Sequence, residues 1–458
     1  MAGGIWLAQN KERAGAYINF QSVPRPMTTL GTRGVVAIPM ALPWGPENTV
    51  ITLYSDELLS NTSEAKIGYT AFDAESRMIR NVLSNAYLAY IYRIDTGGTQ
   101  ASAEALGISA TAKYAGSAGN NITIQIKKLS TSPATYRVDT YYKTKLKDSQ
   151  VISTVAELDD NDFATFDVSG EPSSLAEGLL QLTNGTNGTI ADANYASFIE
   201  AVSPYRWNTM IVPYNYDPDE PGDLTKLAAI NESIVTFITN MRENHGRKVQ
   251  AVIGAGVPSA TNTEGVINVK TLLEINGEEY TMPDMVALIG GLEAAAQIGE
   301  SLTYYEMAGA TSILNPLDDA GIKEAIKNGE LVITTTQSGR IVIESDINSY
   351  HTFTPEKNRD YSKNMIIRML DTINNDIAEI WETTYIGKIK NNAAGRDAFK
   401  ADLINYFNVL ATNGYIEDFN GVRDITVLPG EENDAVVVTV NIQPVDAVEK
   451  LYLTVYTS

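Results

Sequence analysis

The stretch Lys450-Leu-Tyr-Leu-Thr-Val-Tyr-Thr-Ser458 decides how the rest of the chain is read. Leu451, Leu453 and Val455 fall on one side of an extended backbone, and Tyr452, Thr454 and Tyr456 on the other. A period of two, rich in β-branched and aromatic residues, is the pattern of a strand. Pro444 and Val445-Asp-Ala-Val-Glu449 precede it and suit a tether better than a tight hairpin. Such a strand carries backbone donors and acceptors on both edges and must find a sheet. It either folds back onto its own domain or is donated to a neighbouring subunit, strand addition being an established mode of recognition. The pattern alone leaves both open.

The other end of the chain has the same character. Ala14-Gly-Ala-Tyr-Ile-Asn-Phe20 reads as a short strand, with Tyr17, Ile18, Asn19 and Phe20 as its pairing residues. Pro24 and Pro26 follow, and a second strand, Gly34-Val-Val-Ala-Ile-Pro39, leads into Pro43-Trp-Gly-Pro46. Proline punctuation of this kind marks an extended segment in need of a partner.

Between the ends the pattern changes three times. Residues 21–95 open a core, with a helix and the strand Leu88-Ala-Tyr-Ile-Tyr-Arg93 after Phe72. Residues 96–185 are strands and turns (Ile122–Ile126, Thr135–Tyr142, Gln150–Val155), bounded by Gly97-Gly98 and by Thr183-Asn-Gly-Thr-Asn-Gly188. This predicts an all-β, sandwich-like insertion. Residues 186–345 alternate strand and helix: strand Trp207–Pro213, helix Leu224–Asn244, strand Lys248–Gly254, helix Pro283–Ser301, then a hairpin over Leu331–Thr335 and Arg340–Glu344. That alternation predicts a largely parallel, helix-covered sheet. Residues 346–444 are α+β, with helices over Tyr361–Thr384 and Arg396–Thr412, the latter closed by Asn413-Gly414, and a hairpin of Asp424–Leu428 with Ala435–Ile442. Residues 1–20 and 445–458 remain as arms. The fold class is α+β multidomain.

Composition excludes much chemistry. A chain of 458 residues divides into roughly three domains. No cysteine is present, which removes disulfides, thiolate catalysis and Cys-based zinc sites. The two histidines, His245 and His351, sit in a helix end and a loop whose contexts suit surface residues rather than a catalytic triad. A net charge of −22 argues against nucleic acid and keeps free subunits apart. No apolar run is long enough to cross a bilayer, and the first residues lack a signal-peptide pattern, which points to synthesis in a cytoplasm. Gly254-Ala-Gly-Val-Pro-Ser259 follows a strand but lacks the third glycine of a dinucleotide fingerprint. Asp159-Asp160-Asn161-Asp162 and Asp217-Pro218-Asp219-Glu220 lack EF-hand spacing and read as solvated turns. The Asn-Gly-Thr triplets at Asn184 and Asn187 would accept glycans only in a secreted protein. No catalytic, cofactor-binding or metal-binding residue is predicted. Lys388, Lys390, Arg396 and Lys400 form a basic island in the acidic chain, either a solvated face or a docking surface.

The C-terminal two-thirds resembles the tail sheath proteins of contractile phages and phage-tail-like bacteriocins, particularly the short type of Gram-positive prophages. The residues that carry the resemblance are dispersed: Tyr114-Ala-Gly-Ser-Ala-Gly-Asn-Asn121, Leu182-Thr-Asn-Gly-Thr-Asn-Gly188, Gly290-Gly-Leu-Glu-Ala-Ala-Ala296 and Ser301-Leu-Thr-Tyr304. Ile343-Glu-Ser-Asp-Ile-Asn-Ser349, Arg368-Met-Leu-Asp371, Tyr385-Ile-Gly-Lys388 and Pro444-Val-Asp-Ala-Val-Glu-Lys-Leu-Tyr452 continue the series. The family often has two glycines before Thr186 and a threonine at Ser349, departures that leave the function unchanged.

The resemblance implies a structural subunit with no enzymatic activity and no cofactor. Subunits would stack as six-fold rings around a tail tube and contract to drive it through a bacterial envelope. It implies an α/β core of subtilisin-like architecture without a triad, an outward β insertion and a tube-facing C-terminal domain, on which the basic island would be the docking surface. Both arms would add strands to neighbouring subunits. The partners would be further copies, the tube, baseplate and tail terminator proteins, in a virion or phage-tail-like particle assembled in the host bacterial cytoplasm. The competing readings are a subtilisin-like hydrolase and a static shell or tube protein.

Overall fold

Val35–Met40 (β1) is six consecutive buried residues, the mark of a strand covered on both faces. A computed structural model, which describes residues 2–4, 15–17, 33–60, 62–167, 175–216, 220–254 and 261–457, places it inside a seven-stranded sheet. The other members are Val50–Tyr54 (β2), Leu88–Arg93 (β3), Thr209–Val212 (β4), Gln250–Gly254 (β5), Val266–Val269 (β6) and Glu330–Leu331 (β7). Their order is β7-β6-β5-β4-β1-β3-β2. All neighbours are parallel except β2, which runs antiparallel to β3 along the edge.

Alternation along β1 assigns the two faces. Val36 and Ile38 enter one core with Arg77–Leu83 (α1), and Val35 and Ala37 enter the other with Ala193–Val202 (α2) and Pro221–Glu243 (α3). Met282–Ala295 (α4) joins α1 on the first face. α4 lies unusually close to its neighbours because of two glycines. A Cβ on Gly290 would stand 2.5 Å from Ile211 of β4, and one on Gly291 would stand 2.8 Å from the Val82 carbonyl of α1.

The insertion is two sheets around one core. One orders Lys145–Ile152, Ala134–Tyr142, Ile122–Thr131 and Gly178–Gln181; the other orders Ala164–Asp167, Ile108–Ala112 and Ser102–Ala105. The two glycine-rich stretches that bound it lie against each other, with Thr96 bridged to Thr189, Thr99 to Thr186 and Ser102 to Thr183. Trp44, far upstream, is fully buried in this core, packed on Tyr114 and Phe163, with its indole N–H donating to the Ala65 carbonyl at 3.0 Å.

The C-terminal unit packs Asn364–Ile380 (α5) and Ala393–Thr412 (α6) around Phe399, Leu403, Tyr406, Phe407 and Leu410. A hairpin of Ile425–Pro429 with Val436–Val440 covers one side. α6 turns out of its helix at Gly414, whose φ is +75°, as a left-handed C-terminal cap requires. Two expectations shift, and one strand was not expected. α4 stops at Ala295, short of Ser301, where Ala296 leaves helical geometry. α5 ends at Ile380 and continues into a π turn, Trp381–Tyr385. The edge strand β2 has no counterpart in the sequence reading.

Among the described residues no helix is long and apolar enough to cross a membrane, and no three metal-ligating side chains cluster. Asp160 and Asn161 accept backbone N–H groups of Phe166, Phe163 and Ala164, so they organise a turn. Asp217–Asp219 and the glycine-containing segment after Gly254 lie outside the described residues, as do Pro24 and Pro26. His245 and His351 each turn Nδ1 to a backbone carbonyl, of Asn240 and Ser349.

Because Trp44 fills the insertion core from outside it, Trp44→Ala should destabilise the chain by about 3–5 kcal/mol in urea unfolding. Leu179→Ala, on the solvent face, should change stability little.

Candidate assembly surfaces and the junction beneath them

α4 is buried along almost its whole length, yet it carries Glu293 at 1% exposure. α5 likewise buries Arg368, at 0%. Two isolated charges in such places need partners. They are each other's: Arg368 Nη1 donates to Glu293 Oε2, and Nη2 reaches Asp346 Oδ2 at 2.7 Å and the Glu300 carbonyl at 2.6 Å. Asp346 also accepts the Leu302 N–H at 3.0 Å and the Asn364 side chain at 2.8 Å. One turn along α5, Asp371 forms a second buried pair with Arg242 of α3, two bonds of 2.6 and 2.8 Å. α5 is thereby fastened to helices on opposite faces of the sheet.

The two carboxyl groups beside Arg368 differ in ionisation. Burial pushes Glu293 well above the usual carboxylate range, and the Asp346 charge adds to that shift against the pull of Arg368. Burial opposes the charge on Asp346 too, but Arg368, Glu293 and the Leu302 N–H outweigh it and hold its pKa below the ordinary value. The pair therefore favours one proton, carried on Glu293.

The C-terminal segment leaves this junction bare. Leu451, Tyr452, Leu453, Val455 and Tyr456 are 71–92% exposed, Thr454 is exposed as well, and none of residues 450–457 pairs with a strand or makes a hydrogen bond among the described residues. The expected strand is thus not folded back onto its own domain. At the other end Tyr17 lies in Gly15–Tyr17, which pairs in parallel with Ala2–Gly4 and with no further strand among the described residues. Ile18, Asn19 and Phe20 lie outside the described residues. The hairpin Ile425–Pro429/Val436–Val440 is also a two-stranded sheet with open edges, and it exposes Leu428 and Val437.

The basic island is drawn together in part. Lys390 and Arg396 line a cleft of about 460 Å³ floored by Trp381, Tyr385 and Phe399. Lys400 sits one helical turn from Arg396 on α6, and Lys388 caps the Thr383 carbonyl beside the cleft. None of the four forms an ion pair among the described residues.

Sequence reasoning treated the dispersed resemblance motifs as separate. In space all but Tyr385–Lys388, which lies at the aromatic cleft, fall into two clusters. Gly185 exchanges two 2.8 Å hydrogen bonds with the Asn120 side chain, and Asn187 accepts the Ser117 N–H, at the root of the insertion. Glu293, Thr303, Asp346, Arg368 and Glu449 meet at the junction. Buried charges within otherwise apolar helical patterns were the available signal.

The chain matches the family models of the phage tail sheath protein central domain over residues 188–349 and the phage tail sheath C-terminal domain over residues 356–458. It is 32% identical to the phage-like element PBSX protein XkdK of Bacillus subtilis, with 99% of each chain covered. A sheath tail protein structure from Desulfitobacterium hafniense matches at 32% identity with a TM-score of 0.81, covering 96% of this chain and 99% of that one. The PVC sheath complex of an extracellular contractile injection system, in its contracted state, shares the fold at 10% identity and a TM-score of 0.57, covering 98% of this chain and 99% of that one.

The proton on Glu293 gives a pH signature. A raised folded-state pKa contributes stability below the ordinary glutamate pKa, lost as pH rises through the folded value. The lowered pKa of Asp346 contributes above its ordinary value and is lost on acidification. Glu293→Gln, which keeps an acceptor for Arg368 but turns an NH2 where Glu293 accepts from Asn364, should flatten the loss of stability as pH rises above the ordinary glutamate range, measured as the difference from the parent in urea melts. Parallel pH profiles would exclude a shared proton.

Proposed function

This chain belongs to the phage tail sheath family, and on that premise we propose how it works as the structural subunit of a contractile sheath. It is not an enzyme. Its terminal segments are donated strands: Leu451–Tyr456 of one copy adds to an open edge of the hairpin Ile425–Pro429/Val436–Val440 in another, and the N-terminal pair containing Tyr17 supplies a further arm. The observation that carries this reading is the alternating segment 451–456, exposed and without a strand partner among the described residues. Main-chain hydrogen bonds along the added strand would give affinity, and its alternating side chains would give register.

Copies joined in this way stack as six-fold rings around a tail tube, with the insertion outward and the C-terminal unit inward. The cations Lys388, Lys390, Arg396 and Lys400, which form no ion pair among the described residues, support an inward surface for an acidic tube, and baseplate and terminator proteins would close the two ends. The particle is a phage tail or tail-like assembly, built in the host bacterial cytoplasm. The helix-covered parallel sheet supports a subtilisin-like origin for the core. Contraction is a change between two packings of one fold, with the arms as hinges; no nucleotide is required.

Two tests separate the arm from the tube-facing surface. Deleting residues 451–458 removes no described internal contact, so monomer melting should stay unchanged while tubes seen by electron microscopy disappear. Tubes formed by the deleted chain would exclude the donated strand. Lys390→Glu with Arg396→Glu should leave sheath-only tubes intact and reduce co-assembly with the tail tube.

A further inference from the structure

Along the tether Glu449 turns its side chain back onto the body. Val448 is 97% exposed and residues 450–457 are all exposed, yet the Glu449 side chain is only 18% exposed against that of Lys363, itself at 9%. Glu449 Oε2 accepts from Lys363 Nζ, and Oε1 accepts from the Thr303 hydroxyl at 2.9 Å. The two partners belong to different units. Lys363 is the residue from which α5 starts; Thr303 lies in the loop after α4, in the core. The Thr303 hydroxyl in turn accepts the Asp346 N–H at 2.9 Å, and Asp346 is the carboxylate that holds Arg368. Glu449 is thus the last anchored residue before the arm among the described residues, and it bridges the core and the C-terminal unit.

We propose that Glu449 is a latch that sets the direction in which the arm leaves its subunit, and that it ties this direction to the junction between core and C-terminal unit. Such a latch has two consequences. Closed, it narrows the search of the arm for its acceptor, lowering the ordering cost of strand addition. Opened, by any shift of Lys363 relative to Thr303, it lets the arm swing without losing its own pairing. The inference rests on the donated-strand reading for its consequence in assembly, whereas the latch itself is a property of the single chain.

The absence of native cysteine allows clean paired spin labelling, through Thr454→Cys on the arm and Ser338→Cys on an exposed turn. Labelled chains diluted into excess unlabelled chain report distances within one subunit. In the Glu449→Gln variant the distance distribution should about double in width, as expected when a local anchor opens, and tubes should become fewer or irregular. The neighbouring exposed carboxylate, in Asp446→Asn, should change neither. An unchanged width overturns the latch. A broadened width with normal tubes overturns its role in directing assembly. Absence of tubes from the parent chain would instead overturn the sheath function, while the distance widths still judge the latch.

Discussion

Arg368 has no water to turn to. Its guanidinium is fully enclosed between a carboxylic side chain on α4 and a carboxylate in the loop after the core hairpin, and every larger arrangement depends on that enclosure. A buried ion pair contributes little net stability compared with apolar residues of the same shape, but losing one partner costs roughly 3–5 kcal/mol. What the pair supplies is geometry. The observed placement of α5 satisfies Glu293 and Asp346 together, and the Arg242–Asp371 pair repeats the demand from the opposite face of the sheet. These buried charges oppose sliding of the C-terminal unit against the core, because sliding would part them from their partners.

This suits a sheath subunit. Contraction rearranges contacts between copies, and it transmits force only if each copy moves as a body. The insertion is fastened in a similar way. Arg93 and Asp95 are buried as a pair at its root, and between them bond Gly45, Ala115, Leu42 and Gly188. Rigid units joined by the proposed arms would give a mesh whose links turn while its elements stay folded. The acidity of the chain fits the same picture, because repulsion between free copies is overcome only where specific strands and pockets engage.

Much of the fold was legible in the chain because it follows local periods. The period of two in residues 122–126 and 135–142, and the helical stripe through Met365, Met369, Ile373 and Ile377, each identify an element without outside help. The terminal segment reads as a strand by the same period, but residues 450–457 form none in the single chain. The arrangement of the junction was not. Glu293, Asp346 and Arg368 are distant in sequence, and nothing local tells a buried charge from a solvated one in a short window. Trp44 was hidden for a related reason: it reads as part of a proline-flanked loop, and its burial depends on Tyr114 and Phe163, far along the chain. The edge strand β2 was missed because pairing with β3, more than its own pattern, makes it a strand. Of the basic island, spacing showed the charges, but the aromatic cleft under Lys390 and Arg396 came only from packing α5 against α6.

The most direct measurement is a helical reconstruction, by electron cryo-microscopy, of tubes formed by the full chain. The account predicts continuous density for Leu451–Tyr456 of one copy as an added strand on the hairpin Ile425–Pro429/Val436–Val440 of another. Density showing the segment paired to a sheet of its own copy would contradict it.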